Sequence, residues 1–104
     1  MKHSKSIKIS KPAELDLKNI ASYTLSNWGE SQKKTYLDLF KNFFINLSHD
    51  EANVALIKSR EDIDVGLFSF QIKKHVVYFR TTENEVLILR VLHSRMDPER
   101  HLEE

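Results

Sequence analysis

The chain contains 104 residues, of which 40% are hydrophobic and 30% are charged, and its formal net charge is +1. This length suits one domain with one core, and a net charge so close to zero argues against a protein whose main task is to grip a phosphate backbone without sequence preference. Because the chain has no cysteine and no run near the ~20 apolar residues of a membrane span, disulfide scaffolds, cysteine nucleophiles and membrane-spanning helices are excluded. We therefore expect a single soluble, cytoplasmic domain over residues 1–104.

The N-terminal half predicts a short strand and two helices. Residues 6–10 alternate apolar and polar side chains, as a strand does, and Pro12 follows where the first turn of a helix tolerates a missing N–H donor. Two stretches then repeat apolar residues at spacings of three and four, and Gly29 separates them. So short a connection predicts an antiparallel helical hairpin. To its buried faces we assign Ala13, Leu17, Ile20, Ala21, Thr24, Trp28, Tyr36, Phe40, Phe43, Phe44 and Leu47.

The C-terminal half predicts a sheet. Residues 49–64 are polar, acidic and irregular, whereas residues 68–72 alternate apolar and polar side chains with the period of a half-buried strand. Residues 75–81 and 86–93 form two further predicted strands, and both are apolar at consecutive positions. We therefore expect one face of the sheet to receive the helical hairpin and the other to stay open for a partner.

The end of the chain follows the last strand without a loop. Regular alternation along this strand predicts that Arg90 lies on the same face as Val86 and Ile88. His93 would lie on the opposite face. An Asp-Pro step at residues 97–98 supplies an N-cap and a first helical residue. The predicted fold is α+β: an N-terminal strand, an antiparallel helical hairpin packed on an antiparallel sheet, and a short C-terminal helix.

The composition does not indicate a metal site or nucleotide chemistry. The five histidines are scattered, and no pair has the i, i+4 or clustered spacing of metal ligands. With only Gly29 and Gly66, the chain has no glycine-rich loop to cradle a phosphate, and no strained turn presents a serine nucleophile. We therefore expect no metal and no cofactor. Residues 73–102 carry a small basic excess, which either a functional surface or plain solvation would explain.

The order of residue types near the C-terminus is the strongest signature. Residues 88–102 run from an apolar strand carrying Arg90 through a Leu-His pair and a Met-Asp step to a terminal His-Leu. This segment resembles the end of ParE toxins, from the RelE/ParE superfamily of bacterial type II toxin–antitoxin systems. Residues 74–80 are similar to the penultimate strand of that family, whereas residues 49–64 lack its Pro and Gly-Arg pair. In the helical hairpin the resemblance rests on Leu15, Asp16, Leu17, Ile20, Tyr23, Trp28, Gly29, Gln32 and Tyr36.

This resemblance implies a bacterial protein-binding inhibitor and not a catalyst. It implies that the chain binds DNA gyrase so that cleaved DNA is not resealed, and that a ParD-like antitoxin wraps and neutralises it. The expected surfaces are residues 93–100, here named the C-terminal elbow, for gyrase, and the helical hairpin with the open sheet face for the antitoxin. Neither sequence-specific nucleic acid binding nor membrane binding is expected. The gyrase-binding candidates are His93, Arg95, Met96, Asp97 and Arg100, and the antitoxin-binding candidates are Leu17, Ile20, Tyr23, Tyr36 and Phe40.

Two alternatives remain open. The RelE branch of the superfamily cleaves messenger RNA on the ribosome, which requires a cation near the transition state together with an acid and a base. In that case Arg80, Arg90 and His93 are the candidate catalytic residues, although no Tyr follows His93 as it does in many such nucleases. The other alternative is an inactive relative that only binds an antitoxin and helps to control an operon.

Overall fold

The computed structural model describes residues 4–49, 51–52 and 54–102. It confirms the predicted α+β class, with two long helices packed on a five-stranded sheet and a short helix near the C-terminus. In the described part of the chain, no helix is long and apolar enough to cross a membrane. The elements are β1 (Ser6–Ile9), α1 (Lys11–Trp28), α2 (Glu30–Ser48), a 3₁₀ turn (Val54–Leu56), β2 (Lys58–Ser59), β3 (Phe68–Ile72), β4 (His75–Thr81), β5 (Glu85–His93) and α3 (Pro98–His101).

The predicted helical hairpin is confirmed, and the ends of α1 have local causes. Ser10 caps α1 because its hydroxyl oxygen accepts a hydrogen bond from the Ala13 N–H at 3.1 Å. Gly29 ends α1 with φ +90°, a conformation that favours glycine, and its N–H donates to a carbonyl of the last turn at 3.0 Å. The assignment of Trp28 to the buried face is wrong, since the side chain is 71% exposed; the buried residues of α1 end at Thr24.

The sheet has the strand order β1-β5-β4-β3-β2 and is mixed. The predicted antiparallel pairing is confirmed for β3, β4 and β5, and the two-residue strand β2 adds an antiparallel edge. At the other edge, β1 pairs parallel with β5, from Ser6 opposite Glu85 to Ile9 opposite Ile88. The Ser10 N–H continues this contact by donating to the Ile88 carbonyl at 2.9 Å. The start of the fold therefore lies directly beside its last strand.

A β-bulge at Leu89 changes which side chains of β5 face the helices. Tyr78 pairs with Arg90 and Phe79 with Ile88, so Leu89 has no residue opposite it. Side chains do not alternate regularly through this point, and the expectation that Arg90 shares a face with the residues before Leu89 is wrong. The β5 residues that pack toward the helices are Val86, Ile88, Val91 and His93, whereas Leu89, Arg90 and Leu92 lie on the other face.

The main core lies between the helices and the sheet. Phe40 of α2 and Phe79 of β4 are almost fully buried there, and the rings of Phe43 and Phe70 stack with their centroids 4.0 Å apart. Deleting one such ring typically costs about 3–5 kcal/mol, because the cavity cannot close completely. The periodicity of α2 therefore identified core positions correctly.

The opposite face of the sheet is covered, so the expectation of an open face is wrong. Tyr78 and Leu92 are buried there, beneath the loop of residues 60–67 and the end of α3. Ile63 of the loop and Leu102 after α3 pack against them. This second, smaller core occupies much of the sheet face that was expected to be free.

Candidate functional site

The C-terminal elbow begins as a tight turn after β5. Its start is tied to the β3–β4 turn, since the Ser94 N–H donates to the Lys74 carbonyl at 2.8 Å. The Met96 N–H closes the turn on the His93 carbonyl at 2.9 Å, and the Asp97 carboxylate then caps α3 by accepting a backbone N–H at 3.1 Å. The predicted N-cap is therefore confirmed. Among the gyrase-binding candidates, the structure exposes Arg95, Met96, Asp97 and Arg100 and leaves His93 half-buried.

An ion pair that sequence reasoning missed anchors the elbow. Arg90 donates two hydrogen bonds to the Asp16 carboxylate, at 2.8 and 2.9 Å, and a third to the His101 carbonyl at 2.9 Å. Asp16 also accepts the Val91 N–H at 2.9 Å, beyond the end of β1. Hydrogen bonding to Asp16 raises the pKa of the Arg90 guanidinium. One carboxylate thus connects α1, β5 and α3. The available signal was an arginine inside an apolar strand, because such a cation needs an acidic partner once its strand is covered.

A second arginine holds the loop of residues 60–67 against the sheet. Arg80 binds the Asp64 carboxylate and the Val65 carbonyl through its two terminal nitrogens, both at 2.5 Å. Gly66 has φ +76°, and a Cβ added there would lie 3.3 Å from Nη1 of Arg80. These contacts explain how a segment of irregular sequence becomes a fixed part of the fold.

The structure does not bring the three nuclease candidates together. Arg80 and Arg90 lie on the sheet face that is covered by the loop and α3, whereas His93 lies on the helix side. Both arginines are also engaged by carboxylates, those of Asp64 and Asp16. A cation that is already paired stabilises an added phosphoryl charge less than a free one does. These three residues therefore do not form an assembled catalytic site.

His93 instead lies beside His75, a pair that no spacing in the sequence predicted. The two ring centroids are 5.3 Å apart, and the Tyr36 hydroxyl is 2.6 Å from Nδ1 of His75. Burial lowers the pKa of His75, and the charge of His93 acts in the same direction while Asp16 opposes it. Burial likewise raises the pKa of Tyr36, against the effect of the Lys74 N–H. Cross-strand pairing brings His75 and His93 together at the start of the elbow, and α2 contributes Tyr36.

An apolar groove runs between α1, α2 and β1. Its volume is about 570 Å³, and its wall is mostly hydrophobic. Lys18, Asp38 and Lys41 contribute charged groups to its lining. The apolar residues of the groove include Ile7, Ile9, Leu17, Phe40, Phe44 and Ile45.

The structure separates the five antitoxin-binding candidates. Leu17 lines the groove, and Phe40 forms part of it although little of that ring is exposed. Tyr23 is exposed outside the groove, and Tyr36 packs against His75. Ile20 is buried in the main core and does not line the groove. Helical periodicity identified one apolar side of the hairpin but could not divide it into core and groove.

Comparison with known proteins gives consistent results. A family model described as the ParE toxin of the type II toxin–antitoxin system parDE matches residues 7–98. Toxin ParE1 of Mycobacterium tuberculosis is 28% identical to this chain over 95 residues, which make up 90% of this chain and 94% of that protein.

Two solved structures are similar in fold. The chromosomal ParDE toxin–antitoxin system of P. aeruginosa matches with a TM-score of 0.68 and 18% identity, over 88% of this chain and 97% of that one. The RelBE2 toxin–antitoxin complex of Mycobacterium tuberculosis matches with a TM-score of 0.61 and 19% identity, over 88% of this chain and 92% of that one. At these identities the likeness concerns the fold alone. Because the family model spans residues 7–98, the chain belongs to the ParE toxin family of type II toxin–antitoxin systems.

Proposed function

We propose that this toxin binds DNA gyrase and holds it in a state in which cleaved DNA is not resealed. The observation that carries the proposal is the C-terminal elbow, which exposes Arg95, Met96 and Arg100 directly after a strand that is covered on both faces. Arginine forms directional hydrogen bonds and methionine adapts its shape, so both suit the centre of a protein interface. Arg90, paired with Asp16, also donates to the His101 carbonyl directly after this surface.

In this proposal the toxin is an inhibitor that acts by binding, and it is not a nuclease. Supporting this, Arg80 and Arg90 are engaged by carboxylates and lie on the sheet face away from His93. An RNA-cleaving centre needs a cation, an acid and a base around one phosphate. The three candidates for that role are not arranged around a common point.

We further propose that a ParD-like antitoxin neutralises the toxin by inserting an amphipathic segment into the apolar groove. Such a segment places its apolar face in a hydrophobic groove and its polar face toward water. Lys18 and Lys41 line the groove beside its apolar residues, so acidic residues flanking that face would be attracted to them. A tail that is disordered when free would order on this surface and offset the lost entropy by burying apolar area.

A supercoiling reaction with purified gyrase and relaxed plasmid tests the gyrase proposal. Titrating the toxin should cause linear DNA to accumulate once the proteins are denatured. Supercoiling that stays unchanged across the titration would contradict the proposal, and ribosome-dependent cleavage of messenger RNA would then be assayed. A chain with neither activity that still binds an antitoxin would be an inactive relative.

A matched pair of variants locates the contact. Reversing both charges in Arg95→Glu/Arg100→Glu should abolish the linear DNA while antitoxin affinity is kept. Lys34→Glu/Lys58→Glu changes the net charge by the same amount at exposed positions outside the elbow, and it should leave gyrase inhibition intact. If both double variants lose activity equally, charge in general and not the elbow is responsible.

A further inference from the structure

Two imidazole rings meet where the sheet joins the C-terminal elbow. His75 begins β4 and His93 ends β5, the two residues pair across the strands, and their rings are 5.3 Å apart at an angle of 78°. Among the residues that the structure describes, no carboxylate forms an ion pair with either ring. The pair therefore lacks the acidic partner that commonly accompanies a histidine at a functional site.

Hydrogen bonds engage Nδ1 of both rings. The Arg95 N–H donates to Nδ1 of His93 at 3.1 Å, and a backbone N–H can only donate, so the proton of the neutral His93 ring lies on Nε2. The Tyr36 hydroxyl oxygen is 2.6 Å from Nδ1 of His75 and 3.5 Å from the Ile72 carbonyl. Burial lowers the pKa of His75, which keeps this ring neutral at neutral pH.

Nε2 of each ring stays outside these hydrogen bonds. In the described part of the chain, no buried side-chain nitrogen or oxygen lacks a hydrogen-bond partner, and each of these rings is bonded through Nδ1. Neither Nε2 is therefore a fully buried atom without a partner. The protonated Nε2 of the neutral His93 ring has no lone pair for a metal ion, so it suits an acceptor oxygen.

Three exposed cations lie within two residues of the pair along the chain. Lys73 and Lys74 form the two-residue turn between β3 and β4, and Arg95 lies two residues after the end of β5. The hydrogen bond from the elbow to the Lys74 carbonyl holds this turn against the elbow. Within residues 4–49, 51–52 and 54–102, none of the three cations forms a salt bridge. Their charges are available to an anion.

Lys73 holds a backbone conformation that favours glycine. Its φ is +54°, and it is the one residue other than glycine with positive φ in the described part of the chain. Tight hairpin turns place Gly, Asn or Asp at such positions, because a side chain there is strained. Strain of this kind concentrates at functional sites. The lysine is thus kept where glycine would fit the backbone better, which points to a use for its charge.

We propose that His75, His93, Lys73, Lys74 and Arg95 form a binding site for a phosphoryl oxyanion, which is either free phosphate or the phosphodiester of a nucleic acid strand. Neutral N–H donors supply directional hydrogen bonds, and the cations supply charge, the combination by which proteins hold phosphate groups. A site for about one or two phosphates is consistent with a low overall charge, since long backbone contacts require many more cations. The site does not depend on gyrase being the target.

An NMR titration of the full chain in phosphate-free buffer, at constant ionic strength, tests the site. Inorganic phosphate should shift the Hε1 resonances of His75 and His93 until they saturate, while those of the exposed His49 and His101 stay in place. A second titration uses a short single-stranded oligonucleotide without terminal phosphates. If the oligonucleotide saturates these shifts at a lower concentration than phosphate does, the site binds a nucleic acid strand. If only phosphate causes the shifts, the site binds the free anion. Equal shifts at all four resonances, or shifts that sodium chloride reproduces, would overturn the proposal.

Two variants separate binding from folding. Lys73→Gly removes a cation and relieves the strain, so the melting temperature should rise while phosphate affinity falls about threefold, the effect of one exposed charge. His75→Gln/His93→Gln should lower phosphate affinity about tenfold or more. Lys58→Ala, an exposed lysine on β2, should leave it unchanged. If the Lys73 variant and the double histidine variant bind phosphate as tightly as the natural chain, the site does not exist.

Discussion

Asp16 and Arg90, which are 74 residues apart in sequence, are joined by two hydrogen bonds of 2.8 and 2.9 Å. The side chains are only 12% and 22% exposed, so water competes little for the pair. Asp16 accepts a further hydrogen bond from the Val91 N–H, and Arg90 donates one to the His101 carbonyl. This ion pair therefore couples the first turns of α1 to the C-terminal elbow.

Replacing Asp16 by Ala should lower the free energy of unfolding by about 3 kcal/mol, because a largely buried guanidinium and a backbone N–H lose their acceptor. Asp16→Asn keeps the size and one acceptor oxygen, so about half of that loss is expected. Urea unfolding followed by far-ultraviolet circular dichroism measures both values. Equal losses for the two variants would show that the oxygen kept by Asn contributes nothing, whereas an unchanged stability of Asp16→Asn would show that the charge contributes nothing.

Gly66→Ala should destabilise the fold by about 2 kcal/mol, because the new methyl group combines strain at positive φ with pressure on Arg80. The steric part of this cost depends on Arg80, whose Nη1 lies 3.3 Å from the position of the added Cβ. In an Arg80→Ala background the same substitution should cost about 1 kcal/mol. A double-mutant cycle in urea tests this, and an identical cost in both backgrounds would rule out the contact.

The stability of the protein should decrease as the pH falls from about 7 to about 5. Burial lowers the pKa of His75, and the unfolded chain, with its histidine near 6.5, binds more protons over this range. The stabilisation due to this ring is fully present above the unfolded pKa and is lost as the pH falls through the folded pKa. His75→Gln should flatten the dependence of the unfolding free energy on pH, and His49→Gln, at an exposed position, should not. If the unfolding free energy of the His75 variant depends on pH as steeply as before, other groups cause that dependence.

Ile45→Glu should weaken antitoxin binding about tenfold or more, because it places a charge in the apolar groove. Leu39→Glu provides a matched control on the same helix. Ile45 is 44% exposed and lines the groove, while Leu39 is 36% exposed and lies outside it. Isothermal titration calorimetry with the cognate antitoxin measures both affinities. Equal weakening by the two variants would place the antitoxin elsewhere on the hairpin.

Features with a local cause could be predicted from the sequence. Gly29 breaks the helical pattern, and Asp97 followed by Pro98 starts a helix whatever surrounds it. The bulge at Leu89 could not be predicted, because it depends on which residues of β4 lie opposite. For the same reason the predicted sheet face of Arg90 was wrong, although the strand itself was correctly located.

The remaining differences concern contacts between distant segments. The cover over the second sheet face comes from a loop whose composition is polar, so its few apolar residues, such as Ile63, carried no signal. The pairing of His75 with His93 requires the register of two strands. The candidates in the C-terminal elbow could be named because they follow a strand without a loop, and their role in binding gyrase stays a prediction.

The parallel pairing of β1 with β5 has a consequence for synthesis on the ribosome. The helical hairpin consists of local contacts and can form as soon as it emerges. Residues 6–9, however, can pair only after residues 85–88 have been made, and Asp16 can bind Arg90 only after residue 90 has been made. A nascent chain therefore cannot anchor the elbow until β5 has been made. The surface proposed for gyrase binding is among the last parts of the fold to form, and a chain that is truncated before β5 never acquires it.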